Sequence, residues 1–556
     1  MIVAAIVAVV FVLYVATYAS IPAGDGYWVL NNIERADRVL LFNPPSLLAQ
    51  LTFFGLRRLA DRVGFPIATL TIIQTVNALA AGVGAALLHR IVRTLGGSRP
   101  LGVLSAALLA VSFGYWYFAD GEMQLLSLVV LLAIFWLVAR AQVRGSWTGW
   151  FVAGVALLNS LAALLRQENV IFGFAAVALL CVGRPWRRAV RDALVYAAAG
   201  AVGTWAGALF IGLRGAPEVE TIADAVRWYL WVFRVHVGAT QDFQGFEHAM
   251  TFDVPRLVKG QLTAFIAGTQ AVVDAIRDPG LLRRPYVVGL IALTVAAYAI
   301  MATLGAELRR VGRLVETRLV ALAVASAVWI LAYKLLVHGW LWPTVTKYQV
   351  VTVPPLVILA VLGVIAAEKS VDRARSLRLI RLVAALVAIV FVVDLSAGIL
   401  PWRRYGEMKT ALEVRRATEF RADDLFISSE SGIDPIFAQI YRGGDARHVS
   451  VKNVFIQKPT REAVASIRAA IDGQLALDRR VFVYNFVPGP YSLVGINPAP
   501  TRAGTPLGER DFEIFLDELR AVYTMRPVFS YWEESKAPLY LFGERLEPFF
   551  EVAARS

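Results

Sequence analysis

Apolar runs of span length, separated by short connections, recur along the first 400 residues and leave little freedom in what the chain can fold into. An α-helix needs about 20 such residues to cross a hydrocarbon core. The runs fall at 2–20, 67–88, 101–118, 123–140, 148–165, 169–183, 193–213, 286–304, 317–336, 345–367 and 380–399. That is about eleven spans of a polytopic α-helical membrane protein. Composition agrees, because a chain of 556 residues with 58% hydrophobic and 17% charged residues and a mean hydropathy of +0.59 has too little polar surface for an ordinary soluble domain. The first run lacks a basic leading segment and an A-x-A site, so it is expected to remain as a span rather than be removed.

The connections alternate. Bases cluster after every second run: Arg90, Arg93 and Arg99; Arg140 and Arg144; Arg184, Arg187, Arg188 and Arg191; Arg309, Arg310, Arg313 and Arg318; Lys369, Arg373, Arg375, Arg378 and Arg381. Cytoplasmic loops carry such excess, which puts the N-terminus inside and the C-terminus outside the cytoplasmic membrane. The net charge of +13 is spread as these short clusters against anionic lipid and not as one basic face, which argues against nucleic acid as a partner. Cys181 is the only cysteine, so no disulfide within the chain and no cysteine-based metal site is available.

Residues 258–275 are apolar enough to suggest a further span, but counting it would turn the basic connection 305–318 outward. They are read instead as an amphipathic or re-entrant helix on the outer face, with Lys259, Gln261 and Asp274 kept wet, inside a long outer loop 214–285. A second, variable membrane module follows at 286–400. From about residue 401 short β-rich runs at 424–429, 447–451 and 480–486 alternate with helical stretches at 460–474 and 510–521. That pattern predicts an extracytoplasmic α/β domain, 401–556, with a largely parallel sheet and a last strand near 539–542. It contains no phosphate-binding or nucleophile-elbow motif.

Acids stand at the outer ends of the spans. Gly24-Asp25-Gly26-Tyr27-Trp28 places a carboxylate within a turn or two of the bilayer, where an acid is costly unless it has a task. Asp120 and Glu122 occupy the tight turn between the third and fourth spans. Arg166, Gln167, Glu168 and Asn169 form the next outer turn, and Lys334, His338, Trp340, Trp342, Lys347 and Tyr348 crowd the junction of the ninth and tenth spans. All share one side by topology. Solvated turns, interfacial aromatics and a snorkelling lysine would account for each group singly.

The arrangement resembles the GT-C superfamily of polyprenyl-phosphate-dependent membrane glycosyltransferases, in the branch related to protein O-mannosyltransferases. Gly24-Asp25-Gly26, Asn43-Pro44-Pro45, Asn77 and Trp116 followed by Glu122 carry the likeness. Where that branch has a further acid this chain has Gly26-Tyr27, and where it has His before paired prolines this chain has Asn43. The resemblance implies that residues 1–213 form a seven-span catalytic core with a first outer loop at 21–66. It implies an inverting transfer from a polyprenyl-phosphate-linked sugar to a glycan, lipid or protein acceptor.

The residue types suit that chemistry. The acceptor hydroxyl must lose a proton as it attacks the anomeric carbon, and Asp25 is the candidate base. The departing phosphate needs positive charge, for which Arg166, Lys347 and Lys334 are at hand. Tyr27, Trp28, Glu168, His338 and Tyr348 are expected near the substrate. Asp120 and Glu122 could orient the acceptor or, with Asp25, hold a divalent cation, and oxygen-only ligands would favour Mg2+ or Mn2+. The alternative is a lipid-linked sugar flippase or transporter without transferase chemistry. Incubation with a labelled polyprenyl-phosphate sugar separates the two.

Overall fold

The structure is a computed structural model. It describes residues 1–20, 26–36, 41–42, 46–145, 147–217, 219–233, 254–277, 279–311, 316–338, 349–369, 373–403, 421, 423–428, 447–451, 454, 460–484, 509–529 and 549–555. The chain divides into two compact units, one of residues 1–232 with 252–404 and the other of residues 233–251 with 405–556.

The first unit is helical, and a helix stands at each of the eleven expected positions. Among the described residues, seven helices are long and apolar enough to cross a bilayer: Thr69–Thr94, Gln124–Arg144, Trp186–Gly215, Pro285–Leu308, Thr317–Val337, Val350–Lys369 and Arg373–Arg403. Arg99–Val111 and Phe113–Asp120 together make an eighth, bent by 64°. The chain is a multi-pass membrane protein. Ile2–Thr17, Gly149–Leu165 and Gln167–Cys181 are apolar but shorter. At 1.5 Å per residue the first of these reaches roughly 24 Å against a core of about 30 Å, so the full count of eleven remains a proposal.

Local chemistry sets several of these ends. Ser98 accepts the Leu101 N–H at 3.3 Å, with Pro100 in the first turn, and so starts the third span. Gly145, at φ 75°, closes Gln124–Arg144 by donating to the Ala141 and Gln142 carbonyls. At the centre, Thr69–Thr94 packs against Ile2–Thr17, Arg99–Val111 and Gln124–Arg144 through a small-residue surface that includes Ala78, Ala81 and Ala85. A Cβ on Gly82 would stand 2.8 Å from the Val7 carbonyl oxygen, so two backbones meet there directly.

The segment around 258–275, expected as one amphipathic or re-entrant helix, is divided. It forms two helices, Val254–Phe265 and Gly268–Arg277, of 12 and 10 residues, each far short of a span. The join between them is buried, Ala264, Phe265, Ile266 and Ala267 all lying at 2% exposure or less. Gln261 is not simply wet, because its side-chain oxygen accepts the Thr352 hydroxyl.

The second unit is built on a five-stranded sheet of order β2-β1-β3-β5-β4, where β1 is Leu425–Ser428, β2 Arg447–Ser450, β3 Val481–Tyr484, β4 Tyr523–Phe529 and β5 Phe549–Ala554. Helices Thr460–Leu475 and Glu509–Val522 accompany it. β1 pairs in parallel with β2 and β3, whereas β5 runs antiparallel to both β3 and β4. The sheet is therefore mixed, not largely parallel, and its last described strand is β5. The strand expected near 539–542 lies outside the described residues. Leu425, Ile427, Ile467, Val481, Val483 and Phe515 form its core. Asp424, buried ahead of β1, receives two hydrogen bonds from Arg480, ahead of β3, at 3.0 and 2.6 Å.

Candidate functional site

The turn between the third and fourth spans is the anchor of the site. The short helix Phe113–Tyr117 runs into a 3₁₀ turn at Phe118–Asp120, and Gly121 follows at φ 148°, a backbone setting that side-chain-bearing residues rarely adopt. The glycine lets the chain reverse between two acids, and both are buried, at 4% exposure for Asp120 and 0% for Glu122.

Their surroundings are different. Asp120 accepts the Ala19 N–H at 3.0 Å and the Trp402 indole N–H at 3.1 Å on Oδ2, and the Gln74 amide at 2.6 Å on Oδ1. Gln74 also donates to the Ala19 carbonyl at 2.9 Å. The Asp120 carboxylate thus fastens the end of the first span, the second span and the end of the last into one knot. Glu122 faces the next turn. Its backbone carbonyl accepts the Asn77 amide at 2.7 Å. Its Oε2 lies 3.2 Å from the Gln124 amide nitrogen in the side-chain orientation that satisfies both neighbours, and the Gln124 oxygen then accepts Arg166 Nη1 at 3.0 Å. Arg166 in turn places its Nε and Nη2 on the two oxygens of Glu168 at 3.0 and 3.1 Å. The path Glu122–Gln124–Arg166–Glu168 is continuous.

The ninth span joins the same end. The Tyr333 hydroxyl donates to Asn169 Oδ1 at 2.7 Å, and the Asn169 amide donates to the Ala162 carbonyl at 3.1 Å. Gln167 reaches the Tyr229 carbonyl at 2.9 Å. Lys334, next in the chain to Tyr333 and at the first position of a five-residue π-helical turn, is 7% exposed, and its ammonium donates to Gln349 Oε1. No ion pair joins Lys334 to a carboxylate among the described residues.

The expected site residues therefore divide. Glu122, Arg166, Glu168 and Asn169 are brought together, with Lys334 close by in the chain to the Tyr333 contact. Asp120 is near in sequence, but both its oxygens are committed to nitrogen donors. Asp25, Asn43, Trp340, Trp342, Lys347 and Tyr348 lie outside the described residues. Tyr27 and Trp28 belong to the helix Gly26–Arg35 and His338 to the turn Lys334–His338, their backbones alone being described. Of the acids expected to hold a divalent cation, Asp25 lies outside the described residues and the oxygens of Asp120 already receive N–H groups; among the described residues no group of three His, Cys, Asp or Glu that could hold one occurs.

Gln124, Gln74, Tyr333 and Trp402 complete the two networks and were not singled out from sequence. Gln74 and Asn77 carried a usable signal, as two amides three residues apart on one face of an otherwise apolar helix. Trp402 carried none, since its partner is 282 positions away.

The turns that carry Asp120, Glu122, Arg166 and Glu168 fall inside a recognisable segment. Residues 65–208 match the family described as dolichyl-phosphate-mannose-protein mannosyltransferase. That match holds Gln74, Asn77, Asp120, Glu122, Gln124, Arg166 and Glu168, and the likeness to GT-C membrane glycosyltransferases is thereby shown for this segment. No curated protein matches the chain. Among solved structures, ArnT from Cupriavidus metallidurans bound to undecaprenyl phosphate is 12% identical, with 99% of this chain and 97% of that chain covered, at a TM-score of 0.49. The apo oligosaccharyltransferase of Archaeoglobus fulgidus is 13% identical, with 94% and 69% covered, at a TM-score of 0.41. The archaeal oligosaccharyltransferase AglB from Archaeoglobus fulgidus, in complex with an inhibitory peptide and a dolichol-phosphate, is 10% identical, with 86% and 69% covered, at a TM-score of 0.42. None reaches 0.5, and only the family match bears on function.

Proposed function

We propose that this protein is an inverting glycosyltransferase that moves a sugar from a polyprenyl-phosphate carrier to an acceptor hydroxyl at the outer face of the cytoplasmic membrane. The observation that carries the reading is the coincidence of the family match with the network Glu122–Gln124–Arg166–Glu168. In the proposed step the acceptor oxygen attacks the anomeric carbon while the bond from that carbon to the phosphate oxygen breaks. The electron pair leaves with the polyprenyl phosphate. The hydroxyl proton passes to a carboxylate, for which Asp25 is assigned as the base.

Roles for the other residues follow from their partners. Arg166 has its guanidinium fork on Glu168 and its remaining Nη1 on Gln124, which fits a part in holding Glu122 toward the acceptor better than one in meeting phosphate. Lys334 is a buried cation with a neutral amide for company, and is assigned to the phosphate, whose charge grows as the bond breaks. Asp120 is a positioning residue. The domains at 1–213, 214–285, 286–400 and 401–556 keep their proposed roles as core, outer loop, second membrane module and extracytoplasmic domain.

The test uses the full chain in proteoliposomes with radiolabelled polyprenyl-phosphate hexoses and a panel of hydroxyl acceptors. Label appearing on an acceptor with release of polyprenyl phosphate supports the transferase. Label crossing the bilayer still attached to its lipid, with no release, establishes the flippase instead.

A further inference from the structure

One buried acid plays no part in the step above. Asp394 stands in the last membrane helix with no measurable exposure. Its Oδ1 accepts the N–H of Ala267 at 2.6 Å, whereas Oδ2 has no hydrogen-bond partner among the described residues. The N–H of Phe113, first in the short helix that leads to Asp120, faces the same carboxylate. An ionisable side chain at membrane depth is retained only where it has a task.

Its neighbours indicate what the task is. Ala267 lies at the break between Val254–Phe265 and Gly268–Arg277. Phe113 lies at the 64° bend of the third span. These two irregularities touch: a Cβ on Gly114 would stand 3.0 Å from the Ala264 carbonyl oxygen and 2.9 Å from Val350 Cγ2, so the acid-bearing helix rests on the backbone of the helix pair with no side chain between. Gly268, just past the break, has equally little room, a Cβ there meeting Val393 Cγ1 at 2.8 Å. Immediately after Asp394 the last span widens into a π-helical turn, Leu395–Ile399. One extra residue in a turn rotates everything beyond it by about 100°. Beyond it lies Trp402, whose indole donates to Asp120.

We propose that Asp394 is a positioning residue, locking the break of the helix pair 254–277 onto the bend of the third span and so holding the Asp120–Glu122 turn in its working place. The consequence for catalysis rests on the glycosyltransferase reading. The lock itself does not.

The experiment compares the purified full chain with Asp394→Ala and Asp394→Asn by hydrogen exchange and by turnover of a polyprenyl-phosphate hexose. In Asp394→Ala, exchange at 113–122 and 264–268 should quicken roughly tenfold or more. Its kcat should fall by about tenfold or more with the donor KM within about twofold, the pattern of a lost transition-state alignment. Asp394→Asn keeps an oxygen for the Ala267 amide and should restore both. Unchanged exchange at 113–122 in Asp394→Ala, or an Asn variant as damaged as the Ala one, overturns the proposal. If Asp394→Ala does not accumulate, Gly114→Ala reads the same contact: its methyl must loosen 264–268, and unchanged exchange there overturns the lock. Should the wild-type chain release no polyprenyl phosphate from any hexose donor, the transferase reading falls while the exchange data still decide the lock.

Discussion

Asp120 and Glu122 stand two residues apart and meet opposite kinds of neighbour. Asp120 is surrounded by donors that belong to the scaffold, and Glu122 is tied through one glutamine to an arginine. Asp25→Asn keeps shape and loses basicity, and transfer should vanish while the protein stays folded and in the membrane; near-normal turnover in a labelled-sugar assay would remove Asp25 from the mechanism. Lys334→Ala should lower kcat by at least about tenfold, or roughly 1.4 kcal/mol in the barrier, with protein level unchanged. Arg166→Ala should also lower it, and Arg166→Lys should recover little, because a point charge cannot span both oxygens of Glu168. Equal turnover in Lys334→Ala and wild type, beside a dead Arg166→Ala, would return the phosphate to the arginine. Which residues carry charge at the span ends was legible in the chain, since few polar types occur there. How they pair was not, because a hydrogen bond between Glu122 and Gln124 or between Tyr333 and Asn169 leaves no spacing to read.

Helices were the most legible elements, because a run long enough to cross lipid has one satisfactory conformation. Their irregularities were not. The bend after Val111 and the break at Ile266-Ala267 both meet Asp394, a partner distant in sequence, and the π-helical turns at Lys334–His338 and Leu395–Ile399 contain no proline that would announce them. The segment 258–275 illustrates the limit: charge alternation argued against a span and left an amphipathic or a re-entrant helix open, but did not show two helices with a buried join. Close approach of helices is an element property with its own test. Gly82→Val should place branched carbon into the Val7 backbone and cost about 1–3 kcal/mol, read as a lowered Tm in detergent without a change in secondary-structure content. An unaltered Tm would mean that Ile2–Thr17 can shift away freely.

For the molecule as a whole the decisive quantity is orientation. On the proposed topology, with the basic clusters of alternate connections inside, the acid-bearing end lies outside and a reporter fused after residue 420 should read extracytoplasmic. A cytoplasmic reading would invert the map and put every proposed donor contact on the wrong side of the membrane. The mixed sheet of the second unit shows why the C-terminal part was only half legible: alternating β and helical runs predict parallel neighbours, but β4 and β5 depart from that alternation and pair antiparallel.

The bond between Trp402 and Asp120 also has a history, because the two ends of it are made at different times. Ribosomes add roughly 5–20 residues per second, so the 282 positions between these partners represent about 14 to 56 seconds of synthesis. Within that interval Asp120 can meet only Gln74 and Ala19, because its third donor does not yet exist. Once residue 208 is added, the segment matched by the family, 65–208, is complete as sequence and incomplete as an object. A chain halted at residue 395 would contain every proposed catalytic group and should still be inactive, with Asp120 exposed to crosslinkers from which the finished protein shields it.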